Sequence, residues 1–178
     1  MKNLEELIQL RKSNKFHNIG VNVESVIEIV KKSYYNFEKH SVPSAGAIYG
    51  LKVLLFYKNN KKIFNSKGEI STEKFEINQI KKTCFYDDKY FSSSSILIAV
   101  AYDYDKYFGK YGNCGVRYAS IECGTFLQNF QLLLSEKDIY GCPLGFVDND
   151  ALLGIEEPLI YFIINYSLIR YPKFRILI

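Results

Sequence analysis

The stretch Ser95–Tyr102, SILIAVAY, limits what this chain can become more than any other. It carries no charge and no Gly or Pro, and its apolar side chains fall at both odd and even positions. Side chains along a strand alternate between faces, so a run of this kind has no face to turn toward water. It predicts a central strand in a sheet covered on both sides. A second apolar run, Pro158–Leu168, reads as a last strong strand.

Helical spacing surrounds these runs. Leu4, Leu7 and Ile8 predict a short helix over residues 3–11. Asn22 is an N-cap for a second helix, with Val23, Val26, Ile27, Val30 and Tyr34 as its apolar stripe and Glu28 and Lys32 as an i,i+4 pair outside. Pro43–Ser44–Ala45–Gly46 breaks the chain ahead of a strand near Tyr49–Tyr57. Lys58–Gly68 reads as a polar turn region, and Thr72–Thr83 as a further helix. Tyr104, Tyr107, Phe108 and Tyr111 again keep helical spacing. Val116–Leu134 predicts the main core helix, with Ala119, Cys123, Phe126, Leu127, Phe130 and Leu134 inward. Gly141 closes a turn, and Gly145–Phe146 falls in a loop or at a strand edge. Several helices and few strands, with no repeat and no linker, predict one layered α/β or α+β domain over residues 1–178.

Composition removes some functions. At 48% apolar and 24% charged residues the chain suits a packed globular protein. The net charge of +4 is mild, and the lysine clusters at Lys31–Lys32, Lys58–Lys62 and Lys81–Lys82 read as solvated surface rather than a nucleic-acid stripe. Cys84, Cys114, Cys123 and Cys142 form no CxxC pair and the two histidines stand apart from them, so no metal site is expected. Met1–Leu10 mixes Glu and Lys with its leucines, unlike a secretory signal, which predicts free thiols in a reducing cytoplasm. No apolar run approaches the ~20 residues that span a bilayer, so no membrane segment is expected. Aromatic residues are 16% of the chain, enough for a large core or a ring-stacking pocket.

Three constellations can carry chemistry. Arg11–Lys12–Ser13–Asn14–Lys15–Phe16 offers a guanidinium fork, point charges and a hydroxyl that suit a phosphate. The same basic residues also suit the negative pole of a helix C-terminus. Ser41–Val42–Pro43–Ser44–Ala45–Gly46–Ala47–Ile48–Tyr49 is a bend of small residues, either a plain turn or a place where amide donors can meet the edge of a planar ring. The third runs from Lys110–Tyr111 through Arg117–Tyr118 to Glu122 and Gln128–Asn129. The Lys–Tyr pair supplies a candidate proton acceptor. Glu122 and Asn129 share one face of an otherwise apolar helix and need partners, whether backbone, a second subunit or a cofactor.

Taken together these segments resemble one family. RKSNKF (11–16) resembles the R-x-S-x-[RK]-x-F opening of FMN-dependent nitroreductases. SVPSAGAIYG (41–50) is similar to the PSAGALYP stretch of that family's SagB-type branch, dehydrogenases that act on azoline-containing peptides. KYGNCGVRYASIECGTFLQN (110–129) is similar to the branch's YG-x-RG-x-RY-x-x-x-E-x-GH-x-x-QN block. GCPLGFVDNDALLGIEEPLIYFI (141–163) resembles its closing G-x-x-P-x-GGFDD…LLGL…E-x-x-LY segment. The four segments stand in the family's order and cover about half of the chain.

The resemblance implies an α+β fold, a three-layer α/β/α sandwich pairing as a homodimer with FMN at the subunit interface. It implies that Arg11, Ser13 and Lys15 hold the phosphate and ribityl end, and that Pro43, Ser44, Ala45 and Gly46 lie along the isoalloxazine. Gln128 joins the cofactor-binding set, and Leu144–Gly145 approach the ring's N5 edge through their backbone. Lys110 and Tyr111 align with a Lys–Tyr pair implicated as the base in azoline oxidation. The second substrate would be a peptide, or NAD(P)H if the chain is a generic nitro- or quinone reductase; a non-catalytic partner subunit of the same fold is a third reading. The chain departs from the branch at Gly50 (usually Pro), Thr125 (usually His) and Leu144 (usually Gly), and Lys58–Lys82 lacks the expected GLYxY signature. These departures bear on the peptide substrate more than on the fold.

Overall fold

The computed structural model describes residues 2–13, 18–19, 21–35, 39–65, 67–76, 95–144, 158–164 and 166–167. Its centre is the apolar run anticipated from sequence: β5 (Ile96–Tyr102) is buried at every position. The sheet runs β4 (Ile70–Lys74), β3 (Asn60–Phe64), β2 (Leu51–Tyr57), β5, β7 (Pro158–Ile164), β6 (Cys142–Leu144), and each neighbouring pair is antiparallel. A separate parallel pair joins β1 (Asn18–Ile19) to β8 (Tyr166–Ser167).

Strand parity divides the core. Val53, Leu55, Ile98, Val100, Phe162 and Ile164 face the helices α2 (Val23–Tyr34), α3 (Tyr104–Tyr111) and α4 (Gly115–Glu136). Leu54, Phe56, Leu97, Ala99, Tyr161 and Ile163 form a second buried cluster on the opposite face, with Cys142 and Leu144. Among the described residues the helices pack on one face only, and no described helix covers the other. The inward residues anticipated for α4 are all buried, and Phe130 stacks on Phe126 of the same helix (5.7 Å) and meets Phe162 of β7 (5.3 Å). Each such ring contributes about 1.5–3 kcal/mol by leaving water.

Local chemistry starts the helices where expected. Asn22 accepts the Glu24 N–H (3.0 Å), and Asn3 forms a capping box with Glu6 at the head of α1 (Leu4–Leu10). Asp103 caps α3 by accepting the Lys106 N–H (3.3 Å). Helix α1 packs along α4 yet buries none of its own residues; Leu4 and Ile8 remain 64% and 54% exposed.

Several expectations change. Lys58–Gly68 is not simply a polar turn: after a two-residue turn with Lys58 at φ +52°, Asn60–Phe64 returns as β3. The lysines that masked it sit on a hairpin face, where Lys61 pairs across the sheet with Glu73 (2.7 Å). The helix expected over Thr72–Thr83 is strand at residues 72–74, because β4 pairs with β3 there; residues 77–83 lie outside the described ones. Tyr49 is not strand but left-handed at φ +46°. Glu28 meets Lys31 (3.8 Å) rather than Lys32. On α3 only Tyr107 is buried, while Tyr104 and Phe108 stack on each other at the surface (5.1 Å).

Candidate functional site

The bend between α2 and β2 holds an unusual backbone. Gly46 (φ +56°), Ala47 (φ +55°) and Tyr49 (φ +46°) are all left-handed, a conformation that costs a non-glycine residue about 1–3 kcal/mol and persists only where its surroundings over-determine it. Here they do. The Ser44 hydroxyl accepts the Tyr49 N–H (2.9 Å), and the Tyr49 ring stacks on His40 (3.9 Å). Lys110 Nζ donates to the Gly46 carbonyl (2.8 Å). A Cβ at position 46 would meet Lys110 Nζ and stand 2.5 Å from Tyr111 Oη, so the absent side chain is the space the Lys–Tyr pair occupies. Tyr111 in turn lies against Tyr118 at 4.6 Å.

Behind the bend sits a buried carboxylate. Glu122 is 1% exposed, and Tyr34 Oη (2.5 Å) and Tyr107 Oη (2.8 Å) each donate to one of its oxygens. Those phenol oxygens accept the backbone N–H groups of Leu51 (3.2 Å) and Gly50 (3.3 Å). An unpaired carboxylate at this depth would cost several kcal/mol, which the two phenol donors offset. Burial, then the Glu122 bond and charge, push both phenols well above the ordinary tyrosine range. Burial followed by the same charge lifts the Cys123 thiol to about 12. The departure at Gly50 gains a reason: its N–H, which Pro lacks, reaches Tyr107, and a Cβ there would stand 2.6 Å from the Tyr107 ring.

A second group of expected residues lies toward the other end of α4. Arg11 is the C-cap of α1, and its Nη1 donates to Gln131 (3.2 Å). Lys12 lies over the Tyr140 ring (4.6 Å), and Ser13 bridges Gly141 in parallel. Leu144 is buried at the end of β6, beside Tyr161. Pro43 and Gln128 are exposed, and Ala45 is half-buried at the start of the bend's short 3-10 turn. Lys15 and Gly145 lie outside the described residues.

The structure therefore brings Ser44 and Gly46 together with Lys110 and Tyr111, and holds Arg11 and Ser13 apart from them. Helix α4 connects the two groups, since Asn129 Nδ2 donates to the Ser41 carbonyl (3.0 Å) two residues before Arg11's partner Gln131. No hydrogen bond joins the two groups among the described residues.

Chemically, the donors divide by type. Arg11 presents a five-donor guanidinium with one described bond to Gln131, beside an exposed Ser13; that set suits an anionic oxygen cluster. The N–H groups of Ala45 and Gly46 head the 3-10 turn without a hydrogen bond among the described residues, flanked by small side chains, which suits the edge of a planar ring. A cavity of about 130 Å³ beside Tyr107, walled also by Tyr102, Tyr104, Phe108 and Val116, is well below the ~300 Å³ of sites for drug-sized ligands and holds at most a small flat group. Among the described residues no group of His, Cys, Asp and Glu could hold a metal ion, and no helix is long and apolar enough to cross a membrane.

Sequence reasoning singled out Glu122 but not its partners. Tyr34 reads as one more member of a core stripe and Tyr107 as a helix-spacing residue; nothing in their spacing distinguishes a hydroxyl that bonds from a ring that packs.

Comparison with known proteins adds the following. The sequence profile of the Nitroreductase family matches residues 12–164. No curated protein matches the chain by sequence. The fold is similar to a chain in the Escherichia coli microcin synthetase McbBCD complex with truncated pro-MccB17 bound (TM-score 0.72, 13% identity). That likeness covers 87% of this chain and 66% of the other, so this chain spans just under two thirds of that relative's length. It is similar to a provisionally assigned nitroreductase from Ralstonia eutropha JMP134 (TM-score 0.77, 12% identity, covering 93% and 83%). It is also similar to one from Exiguobacterium sibiricum 255-15 in complex with FMN (TM-score 0.66, 15% identity, covering 99% and 94%). At these identities the likeness speaks to the fold, which is that of a nitroreductase-like α+β protein.

Proposed function

The chain belongs to the nitroreductase family, and on that premise we propose that it is an FMN-dependent oxidoreductase whose site is completed between two copies of the chain. The observation that carries this reading is the meeting of Lys110 and Tyr111 on the Gly46 bend, a proton-transfer pair set directly against a small-residue turn with open amide donors. The donor set fits FMN: a guanidinium and a hydroxyl for the phosphate, and two N–H groups of the bend, unbonded among the described residues, for the ring edge.

Bound FMN would supply the two-electron acceptor that no side chain provides. The chain's own residues do the rest. Arg11, Ser13 and Lys15 hold the phosphate end, while Pro43, Ser44, Ala45 and Gly46 give the ring a flat support. Leu144, Gly145 and Gln128 complete the cofactor-binding set. Lys110 Nζ or Tyr111 Oη accepts a proton from substrate carbon. A positioned base of this kind contributes about 10²–10⁴-fold.

The placement of the two groups along α4 supports pairing of two copies. In one protomer the phosphate donors lie near Gln131 and the ring-supporting bend lies by Lys110. A two-fold contact along α4 would set one protomer's Arg11 opposite its partner's Gly46. The exposed face of α4 suits such a contact: Ile121 is 57% exposed and Gly124 has open space above its Cα, with Ile8 of α1 also uncovered.

For substrate we favour a heterocyclised peptide, oxidised with loss of two hydrogens, in line with the SagB-type motifs and the fold likeness to a chain of a microcin synthetase. The protein would then act in a reducing, cytoplasmic setting. The deciding experiment is purification followed by an absorbance spectrum and analysis of any flavin released on denaturation. A colourless protein that takes up no added FMN would end this reading. NAD(P)H consumption with a nitroaromatic acceptor, and none with a heterocyclised peptide, would replace the peptide substrate with a generic reductase.

A further inference from the structure

We propose that Glu122 is a positioning residue for Lys110, acting through Tyr107 and Tyr34 on the backbone of the bend. It rests on the reading of Lys110 as the proton-transfer group, but its test needs no flavin.

The bend is left-handed at Gly46, Ala47 and Tyr49, so it does not hold its shape by local preference. Helix α3 grips it at two points one turn apart. Lys110 Nζ takes the Gly46 carbonyl, and Tyr107 Oη takes the Gly50 N–H at the other end. Tyr107 can serve as an acceptor there only while its own hydrogen is directed elsewhere, and Glu122 Oε2 receives it at 2.8 Å. The second carboxylate oxygen does the same for Tyr34, which holds the next amide, Leu51. One buried charge thus orients two phenols, and the phenols fix two consecutive amides at the root of the bend. The position of the Gly46 carbonyl, and with it the seat of the Lys110 amine, follows from that orientation.

The substitution Glu122→Gln breaks this arrangement without changing shape. An amide offers one acceptor oxygen and an NH₂ donor, so one phenol loses its acceptor and turns its hydrogen toward the bend. Tyr107→Phe removes the same link with a single oxygen. Neither residue touches the Lys110 amine directly.

The test is trace acetylation of the full-length protein as purified, with the modified lysines quantified by peptide mass spectrometry. Lys106, exposed on the same helix and only loosely paired with Asp103 (3.8 Å), is the internal reference. In the native protein Lys110 should be labelled less than Lys106. In Glu122→Gln and in Tyr107→Phe the Lys110-to-Lys106 ratio should rise about fivefold, the equilibrium value of one modest hydrogen bond. A general loosening of the fold would release Lys61, held by Glu73 at 2.7 Å, along with Lys110, and that outcome also overturns the proposal. If Glu122→Gln does not fold, Tyr107→Phe decides alone. An unchanged ratio in the folded variants overturns the proposal. Absence of flavin from the preparation would count against the oxidoreductase reading and leave this ratio just as informative.

Discussion

Lys110 Nζ and the carbonyl of Gly46 meet at 2.8 Å although 64 positions of chain separate them, and the amine sits in space that a Cβ at position 46 would claim. Gly46→Ala puts a methyl group into the space of Lys110 Nζ and Tyr111 Oη at a backbone angle of φ +56°. We expect a loss of about 1–3 kcal/mol in stability from the backbone alone, read by denaturant unfolding. Turnover should fall with it, since the Lys–Tyr pair is displaced. Wild-type stability and activity in this variant would mean that the bend and the pair are independent.

The Arg11 guanidinium has one described bond, to Gln131, and its remaining donors are the proposed phosphate grip. Arg11→Ala should weaken FMN binding about 10- to 100-fold, the worth of one or two charge-assisted hydrogen bonds. Flavin titration followed by fluorescence measures this. Unchanged affinity would falsify the phosphate assignment while leaving the bend untested.

Lys110→Ala combined with Tyr111→Phe removes both candidate bases and keeps Gly46 clear. The double variant should retain flavin and lose turnover by about 10²–10⁴-fold. Steady-state rates on a flavin-saturated preparation give the answer; near-normal rates would move the base elsewhere.

Ile121 sits 57% exposed in the middle of α4. Ile121→Arg places a charge in the proposed contact between copies, where burying it unpaired costs several kcal/mol. Light scattering should report monomers at concentrations where the native chain pairs, and flavin occupancy should drop in parallel. A monomeric variant that keeps its flavin would separate cofactor binding from pairing.

Stability should decline in alkaline solution. Burial raises the hydroxyls of Tyr34, Tyr35 and Tyr107 above 10.0 and lifts the Cys123 thiol from 9.0 to about 12. As pH climbs past the unfolded values, the unfolded chain releases protons that the native chain retains. It then binds fewer protons than the native state, and unfolding becomes easier. Thermal midpoints measured from pH 8 upward should therefore fall once pH passes about 9–10. For the same reason alkylation near neutral pH should reach exposed Cys114 and spare Cys123.

Much of the fold was legible in the residues. SILIAVAY announced the central strand because burial on both faces leaves a continuous apolar run, and α2 and α4 announced themselves through 3.6-residue stripes that face one core. Asn22 marked a helix start by chemistry that acts within two residues. The hairpin strands β3 and β4 were hidden because their lysines, glutamates and threonines answer to an edge exposed to water, so period-two alternation was blurred.

What the sequence determined alone was therefore whatever depends on neighbours a few residues away: the buried central strand, the apolar stripes of α2 and α4, the Asn22 cap, the family motifs and the need of Glu122 for partners. The tertiary structure decided which residues meet across the chain. Only there do Tyr34 and Tyr107 become the partners of Glu122, Gly46 become the seat of Lys110, and Arg11 come to rest near the far end of α4. A hydrogen bond acts over about 3 Å, and contacts of that range between distant segments are fixed by packing, which no local spacing encodes.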